Sequence, residues 1–310
     1  MRCYLIIISF CISLICLGGN SLDSASVLMH GNRDSTKIFR HRTATIAIAG
    51  TAAYTGTMIG LYNLWYRDFP QTNFHFINDN GEWMGIDKFG HATTSYNVGR
   101  LGYHAWRWAG MGENKATWIG GLSGFIFLTT IEILDGFSAE WGASPGDLAA
   151  NSIGSALFIS QQLAWHDQKI LLKWSYHSTS FPDYRPDLLG SNFAQHMGKD
   201  YNGHTYWLSA NLRGFASSNS RIPRWLNVAV GYGATGMTGA VTNSTSYNDK
   251  PIPSFERQRL FYIAPDIDLT HIRTRSSILK WVFEAIGFLK FPLPALEISG
   301  KGVKFHPLYF

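Results

Sequence analysis

The sequence predicts an α+β protein. An N-terminal bundle of about four small-residue-rich, membrane-associated helices precedes a short-stranded β-rich part with one amphipathic helix. Three observations carry this expectation. The stretches 43–66 and 116–137 are apolar, rich in Gly, Ala and Thr, and long enough to cross a bilayer as helices that pack closely. Past about residue 175 the texture changes to short β-branched and aromatic runs between Gly- or Pro-containing links. Composition completes the case: 45% hydrophobic and 15% aromatic residues, with 11 Trp, 14 Tyr and 20 Phe, suit a protein at an apolar–water boundary.

The elements follow in order. "MRCYLIIISFCISLICLGGN" places Arg2 ahead of an apolar run from Tyr4 to Leu17, the form of a secretory signal peptide, assigned to residues 1–21. All three cysteines (Cys3, Cys11, Cys16) fall inside it, so the mature chain has no disulfide, thiolate metal site or cysteine nucleophile. Cys16 follows the bulky Ile15, which argues against lipidation there. Residues 22–43 form a polar, basic lead-in. The helical domain is expected over 44–175, with helices over 43–66, from Asp87 to about Ala109, over 116–137 and over 146–165. Ser144-Pro145 is a helix-start signal. The β-rich part, 176–310, packs on that domain. Its strands are expected in "HTYWLSANLRGF", "WLNVAVGYGATGM", "RLFYIAPDIDL" and the closing "GVKFHPLYF", too few to close a barrel. "SSILKWVFEAIGFLKF" reads as the amphipathic helix, with Leu279, Val282, Phe283, Ile286 and Leu289 on one face.

The net charge is +5, and the basic residues are scattered without a long Lys/Arg run. Nucleic acid is therefore not an expected partner, whereas anionic membrane lipid is. Lys169 and Lys173 read as an interfacial helix end, Asp266 and Asp268 as alternating strand residues, and Arg185 with Asp187 as a loop pin.

The chemistry gathers in the helical half. Asp87 and His91 are spaced to share a helix face, as are Glu132 and Asp135, and Asp147 and Asn151. All three pairs sit at helix ends that antiparallel packing brings together. Carboxylates in an apolar bundle need a partner, a metal or a proton. His91 and the carboxylates are therefore candidate ligands of a divalent ion. Alternatively, His91 is a general base oriented by Asp87 or Glu132. A third reading is a satisfied hydrogen-bond network in which Asp147 caps a helix and Lys88 and Arg100 pair with Glu132 or Asp135. No cofactor is identified by the sequence.

"DKFGHATTSY" followed by "IEILDGFSAEWGASPGDLAANSIGS" resembles the YfiM-type family of predicted periplasmic lipoproteins, a domain of unknown function. A looser likeness extends to VanZ-like membrane proteins, which pair an Asp-Lys-x-x-His segment with a later Glu and an Asp-x-x-x-Asn. The resemblance falls on Asp87, Lys88, His91, Glu132, Asp135, Asp147 and Asn151, and it implies an exported cell-envelope protein. Two functions stay open. One is a structural or lipid-contacting component of an outer-membrane assembly, with membrane lipid and other envelope proteins as partners. The other is a membrane-embedded hydrolase, metal-dependent or not, with Asp87, His91, Glu132, Asp135 and Asp147 as its catalytic cluster. The aromatic C-terminus favours the outer membrane or its periplasmic face over the inner membrane.

Overall fold

The computed structural model describes residues 33–67, 70–217 and 219–310. The expected signal peptide lies outside them, as does the first part of the lead-in. Helix α1 (Arg33–Leu61) starts ahead of Thr43, so the rest of the lead-in is helical, and one π-helical turn (Tyr62–Tyr66) extends it. Helices α2 (Ile86–Ala109), α3 (Glu113–Gly136) and α4 (Pro145–Trp165) follow. Gly110 ends α2 in the left-handed conformation that favours glycine, with φ 97°. Ser144 caps α4 by accepting from the Asp147 amide, and Pro145 stands at its first position.

Helix α2 is the axis of the bundle, seated between α3 and α4. The small residues of all three helices make this possible. A Cβ on Gly124 would collide with the Ser95 carbonyl, and one on Gly154 with the Ala92 carbonyl, so backbones meet where side chains would hold them apart. Residues Lys37–Leu61 and Glu113–Gly136 form helices long and apolar enough to cross a membrane.

The β-rich part holds a six-stranded antiparallel sheet in chain order, β1 (Ile170–Tyr176), β2 (His204–Asn211), β3 (Leu226–Thr235), β4 (Gln258–Ile267), β5 (Leu293–Ser299) and β6 (Gly302–Tyr309), and a short two-stranded hairpin, Ser246–Tyr247 with Lys250–Pro251. Helix α5 (Ser277–Ile286) links β4 to β5. Two of the strands were not expected. β1 has Lys173 at its centre and Leu in place of β-branched residues, so it read as the end of a helix. β5 contains Pro294, tolerated because the β5–β6 register slips between Leu293 and Ala295.

With six strands the sheet curls back on itself. Thr205 on β2 and Tyr309 on β6 share a hydrogen bond of 2.9 Å. The Trp174 amide donates to the Phe288 carbonyl and the Lys290 amide to the Trp174 carbonyl, both at 2.8 Å. The chain leading into β5 thus covers the free edge of β1, as edges require. The concave face buries Trp207, Ala229, Leu260, Tyr262, Ala264, Ala295 and Tyr309. Leu208, Val228, Val230, Phe261 and Ile263 stand exposed on the convex face, part of which lies against the bundle.

Candidate functional site

The polar groups meet where α2 and α4 begin and α3 ends. The chain enters α2 through Trp83 (φ 48°), Met84 (φ 54°) and Gly85 (φ 80°), three successive left-handed residues. The Tyr232 hydroxyl donates to the Met84 carbonyl at 2.6 Å and holds this turn. It delivers Asp87, Lys88 and His91 to the first turns of α2. Glu132 and Asp135 come from the last turns of α3, and Asp147 and Asn151 from the first turns of α4.

His91 is the hub. Its Nδ1–H donates to Asn151 Oδ1 at 3.0 Å. Its Nε2 lies 3.9 Å from Asp87 Oδ2, 3.9 Å from Glu132 Oε1 and 3.8 Å from Asp147 Oδ1. These separations exceed a hydrogen bond. They surround a point from which one imidazole nitrogen and carboxylate oxygens can share a cation, since such ligands sit about 2.0–2.6 Å from a divalent ion. The ligand atoms of Asp87, His91 and Asp147 lie within 4.8 Å of one another.

The surrounding bonds fix the carboxylates. Tyr201 donates to Asp87 Oδ1 at 2.7 Å. The Ser144 amide donates to Glu132 Oε2 at 3.0 Å. Tyr66 donates to Asp135 Oδ1 at 2.5 Å. Lys88 Nζ pairs with Asp79 Oδ2 at 2.7 Å and Asp147 Oδ1 at 2.8 Å. Asn151 Nδ2 is buried and has no hydrogen-bond partner among the described residues.

Burial alone would lower the His91 pKa. The charges of Asp147, Asp87 and Glu132, with the Asn151 bond, outweigh it and raise the group above its ordinary value. Burial first, then Asp87 and Glu132, push the Asp147 carboxyl up to about 7 against the pull of His91 and Lys88. Burial works against ionised Asp87 too, but His91, Lys88 and Tyr201 prevail and hold it below the usual carboxylate range.

A cleft of about 200 Å³ opens on this centre, lined by Asp79, Glu82, Asp87, His91, Glu132, Asp135, Asp147 and, from the β-rich part, Lys199, Tyr201 and Tyr206. Asp87, Lys88, His91, Glu132, Asp147 and Asn151 are therefore at one place, with Asp135 on the cleft wall a turn beyond Glu132. Two expected pairings are corrected. Lys88 binds Asp79 and Asp147, not Glu132 or Asp135. Arg100 lies farther along α2, with its Nη1 on Glu284 of α5 at 2.6 Å. Asp79 and Tyr201 were missed. Asp79 sits in the "NDNG" turn just ahead of α2, a position that signals a loop and not a partner. Nothing local marks Tyr201, which only the sheet brings near. The Arg185–Asp187 pin is present at 3.1 Å.

Residues 75–161 match the model of a family described as predicted periplasmic lipoprotein (DUF2279). The matched segment holds all of α2 and α3 and most of α4, and with them Asp87, His91, Glu132 and Asp147. The family's description agrees with export to the cell envelope. No curated protein and no solved structure matches the chain.

Proposed function

We propose that this is a membrane-associated envelope protein whose Asp87, His91 and Asp147, with Glu132 beside them, hold a divalent cation for hydrolysis of a substrate entering the cleft. The carrying observation is the environment of His91 Nε2. With Nδ1 committed to Asn151, a neutral His91 turns its lone pair toward three acceptor oxygens, and a cation at the centre resolves that repulsion. A cation there would polarise a carbonyl or phosphoryl oxygen and supply an activated water. The chain's own part is to fix the ligands through Asn151, Tyr201 and Ser144. Without the cation, burial and the neighbouring carboxylates push Asp147 up to about 7, and a cation bound there would favour its ionised form.

A second reading has its own support. Lys88 bridges Asp79 and Asp147, tying the loop before α2 to the start of α4. A proton on His91 would complete a purely structural lock. Metal content by mass spectrometry on detergent-purified protein separates the two. The cation reading expects stoichiometric metal in the wild type and loss in His91→Ala, with the circular dichroism spectrum retained. A metal-free wild type whose His91→Ala variant misfolds would establish the lock instead.

A further inference from the structure

Between the bundle and the convex face of the sheet runs a second cavity, a groove of about 710 Å³. Ala92 of α2 and Ile153 of α4 form one wall, and Leu208, Val230 and Phe261 the other. Its size falls within the range of about 300–1,000 Å³ typical of small-molecule sites. Its exposed surface is almost wholly apolar. Ile153, Val230 and Phe261 are each half exposed or more. Such a surface is costly to leave in water.

The groove adjoins the polar centre. Tyr206 lines both cavities. On α2, Gly90 faces the cleft and Phe89 the groove. Phe89 packs on Tyr232 at 4.7 Å and on Tyr206 at 6.4 Å between ring centroids, so the aromatic trio forms the threshold between the two. A molecule lying across it would have an apolar length on one side and a polar end at Asp87 and His91 on the other.

We propose that the groove holds an acyl chain of a lipid whose polar end reaches the Asp87–His91–Asp147 centre. Lipids or lipid-linked esters would then be the substrate class. The assignment of the polar end rests on the cation-centre reading above; that of the groove does not. An acyl chain is favoured over a peptide because a peptide would bury amides with few partners in these walls. Strand addition is also disfavoured, since β2 to β5 in the sheet wall have neighbours on both sides and the outer edge of β1 is met at Trp174 by Phe288 and Lys290.

The test uses the full chain in detergent and two photoreactive monoacylglycerols, uncharged so that the acidic centre does not repel them. One carries its diazirine beside the glycerol and the other near the chain end, and adducts are mapped by peptide mass spectrometry. The expected result is polarised: the glycerol-side probe labels Tyr201 or Tyr206, and the chain-end probe labels Ile153, Val230 or Phe261. Val230→Trp fills the groove at an exposed position that folding tolerates, and it should reduce chain-end labelling several-fold. Equal labelling of Trp118 and Ile126 on the outer face of α3 would mean general detergent-like contact and overturn the proposal. Labelling that Val230→Trp leaves unchanged, or no adducts, would do the same. Metal assayed on the same samples keeps the two readings apart. Polarised labelling without metal retains the lipid site and removes the cation, whereas metal without groove labelling does the reverse.

Discussion

Two of the places where the described residues bury charge are built differently. Inside the curled sheet, Lys173 and Asp266 are fully buried and paired at 2.7 Å. Lys173 also donates to the Ile267 carbonyl at 2.7 Å, and Ser209 donates to Asp266 Oδ2 at 2.6 Å. Asn227 supports Ser209, and Asn211 supports Asn227. Lys290 stands 3.8 Å from the other oxygen of Asp266. Here cations match or exceed anions and the principal groups are tied. At the end of the bundle, Asp79, Glu82, Asp87, Glu132, Asp135 and Asp147 gather at one cleft with Lys88, His91 and Lys199, so among the described residues carboxylates outnumber cations there. The first cluster is closed, whereas the second carries surplus negative charge and opens to a cleft. Surplus charge held in place is the mark of a site that a ligand completes.

The comparison is tested most severely by breaking the closed cluster. Lys173→Met leaves Asp266 ionised without its pair and should cost about 3–5 kcal/mol, read from the denaturation midpoint. Adding Asp266→Leu to the same chain should restore much of that loss, because two apolar groups leave no charge buried. Should the double variant be no better than the single one, the pair would not be the source of the effect.

The open cluster should respond with the opposite sign. Asp147→Asn removes one of the crowded carboxylates, whose cost to stability builds from about pH 4, where the unfolded carboxyl ionises, and is complete above about 7. In chelator-treated protein at pH 8, the variant should be more stable by about 1–2 kcal/mol while its metal affinity falls. A loss of stability would place Asp147 with the structural pairs, and the contrast between the clusters would fail.

How far sequence alone reaches follows from what each cluster depends on. The bundle centre is made of short-range spacing, Asp87 with His91 and Asp147 with Asn151, on helices whose small residues and Ser144-Pro145 start are visible in the chain. Its helix-borne members are accordingly legible in the sequence, whereas Asp79, in the turn before α2, is not. The sheet cluster joins β1 to β4, far apart in sequence, and neither strand reveals its partner. Lys173 looked like a helix end and Asp266 like a surface residue because only curling of the sheet places them together. The same long-range contact hid Tyr201 from the site.

Next in size is a pH effect at the rim of the sheet. Hydrogen bonds that His271 donates to Asp167 and Asp268 raise its pKa to about 10. A folded-state value above the unfolded value of about 6.5 stabilises fully below that pH, and the contribution is lost as pH rises through 10. Lys290 acts in the opposite sense. Burial lowers it to about 8, so stability rises with pH from there to about 10.4, where unfolded lysine titrates. The comparison between wild type and His271→Gln isolates the histidine: the stability gap, about 1 kcal/mol near pH 6, should close by pH 10.5. A gap that stays constant across this range would assign the loss to packing.

The smallest effect sharpens the contrast from the backbone. Left-handed residues other than glycine are strained, and Met84 is one of two standing directly before Asp87. Strain at the entrance to α2 fixes where the helix begins, and hence where Asp87 and His91 point. Met84→Gly relieves about 1–2 kcal/mol of strain but adds about 0.5–1 kcal/mol of unfolded-chain entropy, leaving a net gain of roughly 0.5 kcal/mol. The gain in stability should come with weaker metal binding, because the turn no longer holds one geometry. If the variant binds metal as tightly as the wild type, the Tyr232 bond to the residue 84 carbonyl suffices to place α2, and the left-handed turn is a consequence of the fold instead of a device of the site.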